Sequence, residues 1–154
     1  MSFGYVVLGF NSYPKRGEAA PSSLIVEDAA GNDDRFTTTV GGSATNDNDF
    51  QAPLMVSGGQ AITFGFYSQA VGSIAAYQWS ILNFNDPEGM VSSFNYTLSS
   101  GSISGPTTAN WTDLVATMAG SLNPGAQADM TLRIVATNSG GSTTKDYTLT
   151  LFSP

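Results

Sequence analysis

The stretch MTLRIVATNSGGSTTKDYTLTLF, residues 130–152, decides the fold class. Met130 to Thr137 alternates apolar and polar residues without a break, and Thr144 to Phe152 does the same, with Tyr147, Leu149 and Leu151 sharing a face. A period of two puts one face of a strand on a core and the other in water. Asn138-Ser139-Gly140-Gly141-Ser142 between them has the residues of a hairpin turn, where positive φ must be tolerated. Two alternating runs joined by such a turn predict an antiparallel pair.

Working towards the N-terminus, the same grammar repeats. Strands are predicted over 50–56, 61–67, 75–82 and 91–98. Ile62, Phe64 and Phe66 share one face of the second, and Tyr77, Trp79 and Ile81 one face of the third. Residues 83–89 read as a turn and residues 99–108 as a loop. Trp111 to Met118 is the one segment compatible with a short helix, capped by Thr112, and fits a strand or a loop crossing equally well. Short strands at such spacing, punctuated by Gly, Pro and Asn, are the pattern of a β-sandwich.

Before residue 50 the pattern is less regular. Tyr5 to Phe10, Leu24 to Val26 and Arg35 to Val40 each read as a short strand. Gly41 to Asp49 is rich in Gly, Ser, Thr, Asn and Asp, which reads as a linker. The expected organisation is therefore an extended N-terminal arm over residues 1–45 and a sandwich over 46–154. The arm's short strands carry apolar surface that isolated strands cannot bury alone. A second subunit or another protein is expected to cover Phe3, Tyr5, Val6, Val7, Leu8, Phe10, Tyr13, Leu24, Ile25 and Val26.

Composition excludes several functions. Charged residues make up 11% of the 154-residue chain, under half of the roughly 25% usual for soluble domains. The net charge is −7, and the five basic residues, Lys15, Arg16, Arg35, Arg133 and Lys145, are scattered. Phosphate binding needs clustered cations to release counterions, so nucleic acids and anionic membranes are not expected partners. The chain has no cysteine and no histidine. This removes disulfides, thiolate nucleophiles and the commonest general base and metal ligand. Residues 1–10 lack the basic start and cleavage site of a signal peptide, and no run approaches a membrane-spanning length. Synthesis in the cytoplasm is expected.

Chemistry-bearing clusters are few. Gly31-Asn32-Asp33-Asp34, Asp47-Asn48-Asp49 and Asn83 to Glu88 gather oxygen ligands of the kind calcium takes, without EF-hand spacing. The same residue types hold turns by bonding their own backbone, and that is the expectation here. No metal, cofactor or catalytic residue is predicted. The sequons at Asn95 and Asn110 are read as chance occurrences, Trp79 as core and Trp111 as a partly buried loop anchor.

Residues 50–154 resemble an immunoglobulin-like domain. Trp79 in the third strand precedes a long alternating penultimate strand, then Ala136 to Ser142 and a Thr-rich final strand. That closing pattern is similar to bacterial and phage Ig-like and polycystic-kidney-disease-like repeats. The opening Tyr5-Val6-Val7-Leu8-Gly9-Phe10 resembles small structural proteins of bacteriophage heads and tails. The resemblance implies an all-β protein with an Ig-like antiparallel sandwich behind a β-arm. It also implies a non-enzymatic capsid decoration or cement protein located in the virion. Its partners would be the major capsid protein or other virion proteins, and further copies of itself, a trimer being favoured. A tail or baseplate component and a carbohydrate-binding or adhesin module are the alternatives.

Overall fold

The computed structural model describes residues 18–41, 43–95 and 111–154. Among them every regular element is a strand: β1 (Ser22–Glu27), β2 (Arg35–Val40), β3 (Ser43–Asp49), β4 (Leu54–Met55), β5 (Ala61–Val71), β6 (Ala76–Asn85), β7 (Val91–Asn95), β8 (Trp111–Met118), β9 (Gln127–Asn138) and β10 (Gly141–Phe152). They form two sheets. One runs β3-β2-β5-β8-β7, with β1 also paired to β5; the other runs β4-β10-β9-β6. All pairings are antiparallel except β4 with β10.

The decisive stretch folds as its pattern requires. β9 and β10 pair from Gly141↔Asn138 to Phe152↔Gln127 without a register shift. Leu132, Ile134 and Ala136 turn inwards, as do Tyr147, Leu149 and Leu151, and all six are buried. Only Ser139 and Gly140 lie between the strands. Gly141 takes φ 137°, a conformation that side chains disfavour.

Both sheets contribute to one core. Ile62, Phe64 and Phe66 of β5 and Leu114, Ala116 and Met118 of β8 come from the first sheet, and Trp79, Leu132, Ile134 and Leu149 from the second. Phe66 stands 5.8 Å from Trp79 across the gap. Burying one such side chain contributes about 1.5–3 kcal/mol. The Trp79 indole Nε1 is buried without a hydrogen-bond partner among the described residues. Against the described residues Trp79 therefore contributes by apolar packing.

Three segments differ from the sequence reading, and at Trp111–Met118 the structure decides between alternatives left open. Gly41 to Asp49, read as a linker, holds β3, which pairs with β2 from Arg35↔Asp49 to Val40↔Ser43. Its Ser-Ala-Thr-Asn-Asp-Asn-Asp sequence has poor strand propensity. It lies at a sheet edge, where polar and charged residues discourage further pairing. Trp111–Met118 is a strand, and Leu114, Ala116 and Met118 show the period of two. Residues 83–85, read as a turn, continue β6 beyond a register shift between Ile81 and Asn83. The shift leaves Leu82 exposed and lets Phe84 pack against the core. Of the strand expected over 50–56, only Leu54–Met55 forms.

The expected boundary near residue 45 falls inside β3. β1 and β2 pair with successive stretches of β5, Glu27↔Tyr67 and then Thr37↔Gly65. Leu24, Val26 and Phe36 are buried in the common core. Leu24, Val26 and Phe36 thus hide within their own chain, which corrects the expectation that a partner covers Leu24 and Val26. The expected strand over Tyr5 to Phe10 lies outside the described residues.

Just before β1 the chain is pinned to the β9–β10 turn. Asn138 Nδ2 donates to Ala19 O at 2.8 Å, and Thr143 Oγ1 donates to Pro21 O. A Cβ on Gly140 would stand 2.6–2.8 Å from backbone atoms of Ala19 and Ala20. Gly140→Ala must therefore displace residues 18–20, and faster proteolysis there with little change in the core's melting is expected. Leu132→Ala is expected to lower stability by about 2–5 kcal/mol in urea unfolding, because the cavity would open in the middle of the core.

Candidate functional site

Among the described residues a groove of about 430 Å³ runs along β10. Asp146, Tyr147, Thr148 and Thr150 form one wall with Lys145, and Asp34, Phe50 and Gln51 form the other. Three distant segments meet there because their side chains are tied together at Tyr147. The Val26 N–H donates to Tyr147 Oη at 3.0 Å, and the Tyr147 hydroxyl donates to Asp34 Oδ1 at 2.6 Å. The Phe50 ring packs 4.4 Å from the Tyr147 ring.

Tyr147 is largely buried, and burial pushes its hydroxyl pKa well up, with the bond to Asp34 adding to the effect. It stays protonated throughout the physiological range. Lys145 Nζ lies 5.4 Å from the centre of the same ring, in cation–π range. Across the sheet Arg133 grips Asp146 through Nε at 2.8 Å and Nη2 at 2.9 Å. The hydrogen bond from Arg133 holds the Asp146 carboxyl below its ordinary range, against a smaller opposing effect of burial. Both partners are exposed, so the pair fixes geometry more than it stabilises.

Beside the groove, residues 28–34 form a loop built on Asp28. Its Oδ1 accepts from the N–H groups of Ala30 and Asn32, both at 2.9 Å, and its Oδ2 accepts from Asn32 Nδ2. Arg35 Nε sits 3.8 Å away, an attraction without a hydrogen bond. Burial raises the Asp28 pKa, but the bonds from Asn32 and Ala30, with the Arg35 charge, outweigh it and leave the group below its usual value. Burial and the neighbouring charges of Asp33 and Asp28 push Glu27 the other way.

The oxygen-rich runs hold their own backbone. Asp86 accepts from the N–H groups of Met90 and Val91, and Asp49 accepts from Gln51 N–H. Among the described residues no group of three or more acidic, histidine or cysteine side chains is arranged to hold a metal ion. No described helix is long and apolar enough to cross a membrane.

Of the sequence-predicted contact residues, Leu24, Ile25 and Val26 fall among those described. Phe3, Tyr5, Val6, Val7, Leu8, Phe10 and Tyr13 lie outside the described residues. Leu24 and Val26 are sealed in the core, and Ile25 is half-buried opposite Gln69. The Trp111 side chain and the Asn95 and Asn110 sequons also fall outside the described side chains. The groove escaped the sequence reading because Asp34, Phe50 and residues 145–150 carry no motif linking them. Comparison with protein-family models, curated proteins and solved structures gave no match in any of the three.

Two outcomes follow from this geometry. Tyr147→Phe leaves the Val26 N–H unpaired and is expected to cost about 1–3 kcal/mol in urea unfolding. Asp28 has a lowered folded pKa, so its contribution is present above its unfolded pKa and fades as pH falls through the folded value. Glu27, whose pKa is raised, acts in the opposite sense. Asp28→Asn is therefore expected to flatten the loss of stability between about pH 5 and pH 2, read as the denaturant midpoint against pH.

Proposed function

We propose that the chain is a non-catalytic, immunoglobulin-like β-sandwich protein that works by adhering to other protein surfaces, as a decoration or cement component of a phage particle. The strand order supports the Ig-like part. β5 pairs with β8 and β8 with β7, while β6, β9 and β10 form the facing sheet. Labelled B to G from β5 to β10, these strands reproduce the B-E-D and C-F-G groupings of that fold.

The observation that carries the adhesive reading is that the body's core is filled by its own residues, Leu24, Val26 and Phe36 included. Tyr5 to Phe10, joined to the pinned residues 18–21, is then the apolar strand-forming segment that supplies adhesion. The sparse charge of the surface lowers the desolvation cost of covering it with protein. The capsid location is drawn from the resemblance of the opening segment to phage structural proteins. A carbohydrate platform has less support, since the exposed large hydrophobic residues among those described are Met55, Val71 and Leu82, none of them aromatic.

Deleting residues 1–17 is expected to leave the thermal melt of the body within a few degrees and to abolish binding to purified particles in a co-sedimentation assay. Undiminished binding by the truncated chain would overturn the arm's role.

A further inference from the structure

We propose that the open edge of β10 along the groove is the receptor for the Tyr5–Phe10 segment of a second copy, so that copies join by adding an arm strand to a neighbour's sheet. This rests on the adhesive reading above and names the surface that the arm takes.

The edge is unfinished. β4 covers only Leu151 and Phe152 of the twelve-residue β10. Phe152 O accepts from Val56 N–H, so it points away from β9. Backbone groups alternate in direction along a strand, and β9 and β10 show no register shift. The N–H and C=O groups of Asp146, Thr148 and Thr150 therefore face outwards with Phe152. All three residues line the groove, and none has a backbone partner on that side among the described residues. A row of such groups templates another strand.

Charge favours this occupant. Residues 1–17 hold Lys15 and Arg16 and no acid. The rest of the chain therefore holds all twelve acids against three bases, a net of −9 beside the arm's +2. In the groove itself Asp34, preceded by Asp33, and Asp146 stand with Lys145, and Asp146 is paired with Arg133, so the acidic excess belongs to the body as a whole. A basic tether carrying an apolar strand is drawn to an acidic body, and among copies of one chain each has both halves of the interface.

The exit of the chain favours a second copy over the same one. Pro21 lies at Thr143, Ala19 at Asn138, and Glu18 Oε1 accepts from Ser73 Oγ. Traced towards the N-terminus, residues 21–18 pass from Thr143 across Asn138 to Ser73, away from the stretch of β10 that lines the groove. From Gly141 back to Thr148 is about 24 Å of strand, and the steps from Glu18 to Phe10 span at most about 26–29 Å. Return to the chain's own groove needs almost complete extension after a reversal. A neighbour's groove imposes no such limit.

The absence of native cysteine makes a clean test possible. Full-length Val7→Cys and Thr148→Cys chains are mixed and treated with a short bis-maleimide. A covalent dimer containing one chain of each type is expected, and Thr148→Pro, which removes the outward N–H, should lower dimer yield at least tenfold with the melt retained. No mixed dimer, or cross-linking only within a double-cysteine monomer, would overturn the proposal. If strand exchange fails while deleting residues 1–17 still abolishes particle binding, this inference falls and the functional reading stands. If exchange succeeds without particle binding, the reverse holds.

Discussion

The two sheets are organised around an aromatic cluster that connects segments far apart in sequence. Phe36 of β2 lies 4.7 Å from Phe50 and 6.0 Å from both Phe64 and Phe66 of β5. Phe66 reaches Trp79 of β6, and Phe50 reaches Tyr147 of β10. Both sheets and the connection before β4 are therefore held by one set of ring contacts. Without disulfides or metal clusters among the described residues, apolar packing is what resists the chain entropy of unfolding.

That cluster changes the meaning of the N-terminal third. Short strands with apolar faces look adhesive when read alone, because isolated strands are marginal in water. Phe36 supplies the missing information: it is at the centre of the core, so β2 is an integral strand and β1 follows it onto β5. The proposed adhesive segment therefore lies before residue 18, and its proposed receptor is the edge of β10 where the body's own strands run out. The pinned segment 18–21, held by Asn138, Thr143 and the close approach at Gly140, forms the junction between the two.

The strongly alternating strands were legible because each places apolar residues two apart. β5, β9 and β10 were found in this way, though β9 and β10 each begin three residues before the sequence reading placed them. β3 was not legible: Ser43 to Asp49 has the composition of a linker and is held as a strand by its ladder to β2 rather than by its own preference. Residues 83–85 were missed because a bulge breaks the period of two just where Asn83 and Asn85 suggest a turn. The groove was invisible for a different reason. It is assembled by Tyr147, whose hydroxyl accepts from Val26 and donates to Asp34 and whose ring packs on Phe50, and no spacing in the sequence encodes contacts between residues about a hundred positions apart.

The claim that the body leaves the edge of β10 for another copy is tested most directly by residue-resolved amide hydrogen exchange on the chain lacking residues 1–17, alone and mixed with full-length protein. The account predicts rapid exchange at Asp146, Thr148 and Thr150 in the truncated chain, beside protected neighbours at Tyr147 and Leu149 that face β9, and slowing of the rapid set on mixing. Equal protection of all five amides in the truncated chain alone would contradict it, because the edge would already be covered from within.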